Sequence, residues 1–147
     1  MKAIVTGSFD PVTTGHLDLI KRASRLFDEV YAVVFVNPQK DYFFPIGRRV
    51  EMLRLACAEI ENVTVDGSAG LVADYCRLHG ISVIVRGIRN SRDLDYETEM
   101  ADINRVLGGG LETVFLSARK ELADVSSSAV RQKLSEGKKS ADSPWSK

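Results

Sequence analysis

Cysteine is scarce in this chain, with two in 147 residues, and several features that would assign it to a familiar class are missing altogether. Cys57 and Cys76 lie in apolar, helix-like sequence without the paired spacing of a zinc site, so they read as buried small side chains rather than a disulfide or metal ligands. Net charge is also lacking, because 20 basic and 20 acidic side chains cancel. A broad nucleic-acid surface is therefore not implied, although positive charge can still gather in a cleft. No uninterrupted apolar run is long enough to span a bilayer, and fold-like sequence starts almost at Lys2. Neither membrane insertion nor secretion is expected, and reducing cytoplasm is the natural setting. Two phosphate-loop patterns are missing as well: there is no P-loop ending in Lys-Ser/Thr, and no dinucleotide fingerprint of three spaced glycines.

What is present is a strand-then-helix rhythm in a length that suits one domain with a real core. Strands are expected at Ala3–Thr6, Val30–Val36, Val63–Val65, Ile81–Val85 and Thr113–Leu116. Between them, helical spacing predicts apolar stripes through Leu17, Ile20, Ala23 and Phe27, then Val50, Leu53, Cys57 and Ile60. Two later stripes run through Leu71, Val72, Tyr75 and Leu78, and through Tyr96, Met100, Ile103 and Leu107, the last stopping at Gly108-Gly109-Gly110. A final helix is expected over Ala129–Ser135. Strands separated by crossovers predict an α/β, doubly wound sandwich on a five-stranded parallel sheet, Rossmann-like in layout.

The most informative segment is Gly7-Ser8-Phe9-Asp10-Pro11-Val12-Thr13-Thr14-Gly15-His16, where the first strand hands over to the first helix. Gly7 and Gly15 allow close approach or unusual dihedrals, Pro11 stiffens the middle, and amides entering the helix can face an anion. Ser8, Asp10 and His16 supply a hydroxyl, a carboxylate and an imidazole. In a parallel sheet the loops after strands one, two, four and five emerge at one edge, which gathers these residues with Lys40, Arg86, Arg89 and Ser126–Ser128. Such a rim of guanidinium, ammonium, hydroxyl and amide donors suits phosphate. Each member also has an ordinary explanation. Lys40 can be a solvated charge, Arg86 and Arg89 can pair with Asp93 or Glu97, and the serines can cap a helix. Tyr96 reads as a packing residue, and Tyr42, Phe43 and Phe44 as a lid or an apolar interface.

The chain resembles the bacterial phosphopantetheine adenylyltransferases of the HxGH-type nucleotidyltransferase superfamily. Thr13-Thr14-Gly15-His16 stands in place of the superfamily motif, with threonine at its first position. The likeness continues through Pro38-Gln39-Lys40, Val85-Arg86-Gly87-Ile88-Arg89, Asp95-Tyr96-Glu97, Asn104-Arg105 and Val125-Ser126-Ser127-Ser128, covering almost the whole chain. The resemblance implies reversible transfer of the AMP part of ATP to 4′-phosphopantetheine, giving dephospho-coenzyme A and pyrophosphate. By carry-over, His16, Lys40 and Arg86 are the catalytic residues, and Ser8, Lys40, Val72 and Arg86 bind the acceptor. ATP is assigned to Ser8, Phe9, His16, Gly87, Ile88, Arg89, Glu97, Leu122, Ala123, Asp124, Val125, Ser126, Ser127 and Ser128. Asp10 is expected to hold the first loop in shape rather than to react. Magnesium is implied as the counterion of ATP, with no metal cage in the protein. A homohexamer is a family expectation, and coenzyme A itself is implied as a feedback ligand.

One position and one segment depart from the family pattern. Val125 replaces a commoner isoleucine, a mild change, and the segment after Gly137 lacks the helical periodicity of relatives. The expected division is a nucleotidyltransferase domain over 1–137 and a flexible tail over 138–147 that carries Trp145. The alternatives are another adenylyl- or cytidylyltransferase with a different phosphorylated acceptor, nicotinate mononucleotide first among them, and a nucleotide-binding regulator without turnover.

Overall fold

The computed structural model describes residues 1–122 and 125–136. Five strands, β1 (Lys2–Gly7), β2 (Glu29–Phe35), β3 (Val63–Ser68), β4 (Val83–Ile88) and β5 (Glu112–Ser117), form one sheet in the order β3-β2-β1-β4-β5, and every pair is parallel. The connections hold α1 (Thr14–Leu26), α2 (Ile46–Ala56), α3 (Val72–His79) and α4 (Ser91–Leu107), and α5 (Ser127–Ser135) follows β5. This is the doubly wound arrangement expected from the sequence. Strand alternation divides the core into two layers. Ala3 and Val5 with Val30, Ala32 and Val34 pack under Ile20, Ala23, Met52 and Leu53. Ile4, Val33 and Ile84 face Ala73, Tyr75 and Cys76 on the opposite side. Both cysteines are buried and free, and burial pushes their thiols up to about 11.

The order of winding reverses between β1 and β4, which lie side by side and parallel although five elements, α1, β2, α2, β3 and α3, come between them in the chain. Their carboxyl ends therefore splay their following loops apart and open a crevice, the place where such sheets bind ligands. The strands run further toward that edge than their apolar residues predict. β4 continues through Arg86, Gly87 and Ile88, which pair with Phe115, Leu116 and Ser117, and β3 continues through Asp66 to Ser68. The ladder needs only backbone groups, so polar side chains at the rim ride on rigid strands rather than loops.

Two helical stripes differ from expectation. On α3 the buried residues are Ala73, Tyr75 and Cys76, while Leu78 is 82 % exposed and Leu71 is exposed at the cap. On α4 the buried residues are Glu97 and Ala101, whereas Tyr96, Ile103 and Leu107 are exposed. The stop of α4 agrees with the sequence: Gly108 caps it, a Cβ there would fall 2.6 Å from the Cβ of Leu111, and Gly109 and Gly110 adopt φ of 64° and 105°.

Candidate active site

The loop between β1 and α1 is set by its own sequence. Thr13 caps α1, and a reciprocal pair of bonds closes the cap: the His16 backbone N–H donates to Thr13 Oγ1 at 3.3 Å, and the Thr13 backbone N–H donates to His16 Nδ1 at 3.1 Å. A backbone amide can only donate, so Nδ1 carries no proton and the neutral ring bears its hydrogen on Nε2. Phe9 packs edge-on against the imidazole, with ring centroids 4.8 Å apart. Burial first, then the guanidiniums of Arg86 and Arg89, holds the His16 pKa down to about 4. At neutral pH His16 is an uncharged hydrogen-bond donor. The unusual dihedral of this loop falls on Phe9, with φ of 45°, and not on Gly7 or Gly15 as the sequence suggested. A buried ring locked between β1 and His16 offsets the strain of that backbone conformation.

Asp10 ties three loops together. Its carboxylate accepts from the backbone N–H groups of Phe43 at 2.7 Å and Phe44 at 2.9 Å, fixing the segment that follows Lys40. Its own carbonyl accepts from Arg131 Nη1 on α5 at 2.7 Å, and the Ser127 hydroxyl donates to the Pro11 carbonyl at 2.8 Å. The structural role expected of Asp10 is thus what its bonds describe. Ser126 caps α5 by accepting from the Ala129 N–H, while Ser128 accepts from Arg131 Nη2. Lys40 is exposed on the turn after β2, its Nζ 5.7 Å from the Tyr42 ring centroid.

At the end of β4, Arg86 is clamped from two sides. Its Nε and Nη2 donate to the two oxygens of Glu97 at 2.7 and 3.0 Å, and Nη1 donates to the Thr6 carbonyl and hydroxyl at 2.9 and 3.0 Å. Those four bonds leave one of the five guanidinium N–H groups for a ligand. Glu97 is 6 % exposed with both oxygens engaged, so it acts on the cleft by orienting Arg86. Arg89 pairs with Asp93, and Asp18 is shared between Arg22 and Arg119. Lys40 is the one lining cation without a carboxylate partner among the described residues.

These groups line a single open cleft of about 880 Å³ at the β1/β4 edge. Of the residues singled out in the sequence, Ser8, Phe9, His16, Lys40, Arg86, Gly87, Arg89, Glu97, Leu122, Val125 and Ser126–Ser128 reach its wall. Ile88 ends β4 outside that wall, and Ala123 and Asp124 lie outside the described residues, as does the proposed tail. Val72 lines a smaller side pocket of about 150 Å³ behind Arg86 and Glu97, with Tyr96, Met100, Asn104 and Thr113. Tyr96 was expected to pack; it is instead 62 % exposed at the junction of cleft and side pocket. Asp18, Arg22, Arg119 and Arg131 also line the cleft and were not foreseen. Arg131 sits four residues after Ser127, a helical spacing that places both side chains on the Asp10 loop.

The donor set does not fit a magnesium ion held by the protein. Among the described residues no group of three or more histidine, cysteine or carboxylate side chains converges, and Asp10, Asp18, Asp93 and Glu97 already serve amides or guanidiniums.

Residues 4–133 match the cytidylyltransferase-like family. A phosphopantetheine adenylyltransferase of Symbiobacterium thermophilum is 50 % identical over 132 residues, spanning 90 % of this chain and 82 % of the relative. One from Frankia alni is 47 % identical over 135 residues, spanning 89 % and 83 %. The fold alone is shared with the crystal structure of a lipopolysaccharide core biosynthesis protein from Thermoplasma volcanium, at a TM-score of 0.60 and 22 % identity over 82 % of this chain and 98 % of that one. With half of its residues identical across nine-tenths of its length, and a phosphate-suited cleft at the sheet's switch point, the chain belongs to the phosphopantetheine adenylyltransferase family.

Proposed function

We propose that the protein transfers the AMP part of magnesium ATP to 4′-phosphopantetheine, reversibly, giving dephospho-coenzyme A and pyrophosphate. The observation that carries this reading is the fixed, neutral Nε2–H donor of His16 at the head of α1, set between the Ser8 loop and Arg86. Such a group stabilises charge and does not abstract a proton, which suits an acceptor whose nucleophile is already anionic. An acceptor phosphate oxygen forms a bond to the α-phosphorus of ATP while the bond from that phosphorus to the bridging oxygen of pyrophosphate breaks. No proton need move. The chain's work is alignment and compensation of charge on the α-phosphate, by His16 and the amides of α1.

In this reading Lys40 and the remaining N–H of Arg86 hold the acceptor phosphate, and Val72 shapes the pocket for its arm. That pocket mixes apolar wall from Val72, Ile84 and Met100 with polar groups, the Asn104 amide among them. It also holds the Thr113 hydroxyl, the one buried side-chain polar atom lacking a partner among the described residues. ATP lies across Ser8, Phe9, His16, Gly87–Arg89 and the Leu122–Ser128 segment, with Glu97 acting through Arg86. The exposed apolar residues Leu78, Ile103 and Val106 on α3 and α4 support assembly with further copies, for which a homohexamer is the proposal. Coenzyme A, built on the product, is proposed as a feedback ligand of the same cleft. No helix among the described residues is long and apolar enough to cross a membrane, in keeping with a cytoplasmic enzyme.

Purified protein with magnesium ATP and 4′-phosphopantetheine, pantetheine or nicotinate mononucleotide, each separately, tests the reaction through pyrophosphate release and product mass. Turnover is expected with 4′-phosphopantetheine alone. Comparable efficiency with pantetheine would remove the phosphate as nucleophile, and turnover of nicotinate mononucleotide alone would move the assignment to another acceptor.

A further inference from the structure

Behind the cleft wall lies a buried cation that the reaction as described leaves unused. Arg49, near the start of α2, is 1 % exposed and is among the largest side chains fully removed from solvent. Arg86, Arg89, Arg119 and Arg131 each have a carboxylate within 4.0 Å, whereas Arg49 has none among the described residues. Burying an arginine without a counter-charge is costly, and such groups persist where every donor is placed for a purpose.

The donors of Arg49 meet two different loops. Its Nη1 donates to the Ser8 carbonyl at 3.0 Å, its Nε donates to the Phe44 carbonyl at 2.9 Å, and its guanidinium carbon lies 3.9 Å from the Tyr42 ring centroid. Tyr42 in turn accepts the Asn37 N–H at 2.8 Å through its hydroxyl, which closes the turn that presents Lys40. Ser8 follows β1 and Lys40 follows β2, so nothing in the sheet itself fixes one loop against the other. The Asp10 carboxylate holds the Phe43 and Phe44 amides, and beside it a planar fork that bonds two carbonyls while stacking on the Tyr42 ring fixes the Lys40 turn itself, a geometry an ammonium cannot reproduce.

We propose that Arg49 is a positioning residue for adenylyl transfer, a buried clamp that fixes the Lys40 turn against the Ser8 loop and so sets where the Lys40 ammonium stands relative to His16. Because this role presupposes the reaction proposed above, the test is a double-mutant cycle in the complete chain. Wild type, Arg49→Lys, Lys40→Ala and the double variant are compared for kcat, for KM of each substrate, and for thermal midpoint. Arg49→Lys keeps the charge and is the variant chosen to stay folded, with circular dichroism as the check; Arg49→Met is the harsher companion.

A displaced ammonium should lower kcat/KM for 4′-phosphopantetheine by on the order of ten- to a hundredfold, with little change in KM for ATP. In the Lys40→Ala background the same substitution should cost less than about threefold, while its effect on the thermal midpoint stays the same in both backgrounds. Equal losses of kcat/KM in both backgrounds would overturn the role, since Arg49 would then not act through Lys40. So would unchanged activity per folded molecule. A wild-type protein without adenylyl transfer would overturn the functional reading together with this role, whereas an active wild type with uncoupled losses overturns the clamp alone.

Discussion

Replacing His16 separates its two duties. The side chain has two faces: Nδ1 accepts the Thr13 amide, a structural bond, and the Nε2 side of the ring, on the wall of the cleft, is the one proposed to act in catalysis. His16→Ala removes both. Loss of a preorganised donor costs about 3 kcal/mol in the transition state, which is roughly a hundredfold in kcat. Loss of the cap leaves the Thr13 N–H without its acceptor, about 1 kcal/mol of folding free energy, or a fall of about 3 °C in the midpoint for a chain of this size. His16→Gln puts the usual capping-box residue at this position, its Oε1 able to accept the Thr13 N–H in place of Nδ1, so it should restore most of the midpoint while kcat stays low. Steady-state kinetics and calorimetry on the three proteins read the two effects independently. KM for ATP should move little, because Ser8, Arg89 and the α1 amides remain in place. The tautomer can be seen directly: His16 and His79 are the chain's two histidines, so long-range nitrogen–proton correlation spectra with His79→Gln as the assignment control identify each ring. A His16 ring protonated on Nδ1, titrating near 6.5, or an alanine variant with near-wild-type kcat would refute the reasoning.

Two further outcomes follow from the same geometry. Because the folded-state pKa of His16 is lowered from 6.5 to about 4, protons favour the unfolded chain in that window; stability is unaffected above pH 6.5 and falls as pH drops toward 4, by at most about 3 kcal/mol. Urea midpoints at pH 7 and 4.5 should show this slope in wild type and a shallower one in His16→Ala; equal slopes would mean that the imidazole titrates alike in both states. Glu97→Gln turns a bidentate carboxylate into an amide facing Arg86, whose side chain is 34 % exposed, so the loss should be about 1–2 kcal/mol rather than the larger cost of a fully buried pair. A lowered thermal midpoint and a raised KM for the acceptor check it; an unchanged KM would mean that Arg86 holds its pose through Thr6 alone.

The sheet, its crossovers and the opening loop were legible because each is written in short-range pattern: β-branched runs, stripes at helical spacing, and a Gly-bounded turn between the first strand and the first helix. That Lys40 and Arg86 share one cleft was legible because loops and strand ends at the carboxyl edge of a parallel sheet gather there. Arg49 was not. It follows Arg48 at a helix start, where two adjacent cations look like a solvated face, and Arg48 does pair at the surface with Glu51 at 3.8 Å. Only the path of the Lys40 segment over α2 shows that one of the two points inward. The strain on Phe9 was hidden for a similar reason. The glycines on either side of it supplied an easier explanation for an irregular turn, while the buried ring that favours φ of 45° is a tertiary contact.

The misread stripe of α4 has a physical cause that joins the fold to the site. Tyr96, Met100, Ile103 and Leu107 repeat at helical spacing and would face the sheet if burial of apolar surface alone chose the rotation of the helix. Glu97, Ala101 and Asn104 repeat at the same spacing one position on, about 100° around the axis, and this is the face turned inward. A carboxylate with two charge-assisted bonds to Arg86, at 2.7 and 3.0 Å, outweighs the modest gain from burying a few more aliphatic side chains against a short edge strand. The rotation that aims Glu97 at Arg86 therefore drives Ile103 and Val106, the latter 82 % exposed, to the outer surface. Hydrophobic period alone cannot reveal which partner a stripe will meet. Here the ion pair takes the near side of the helix for the site, and the apolar side is left for contacts between copies in the proposed assembly. A substitution at Glu97 should thus be felt at both.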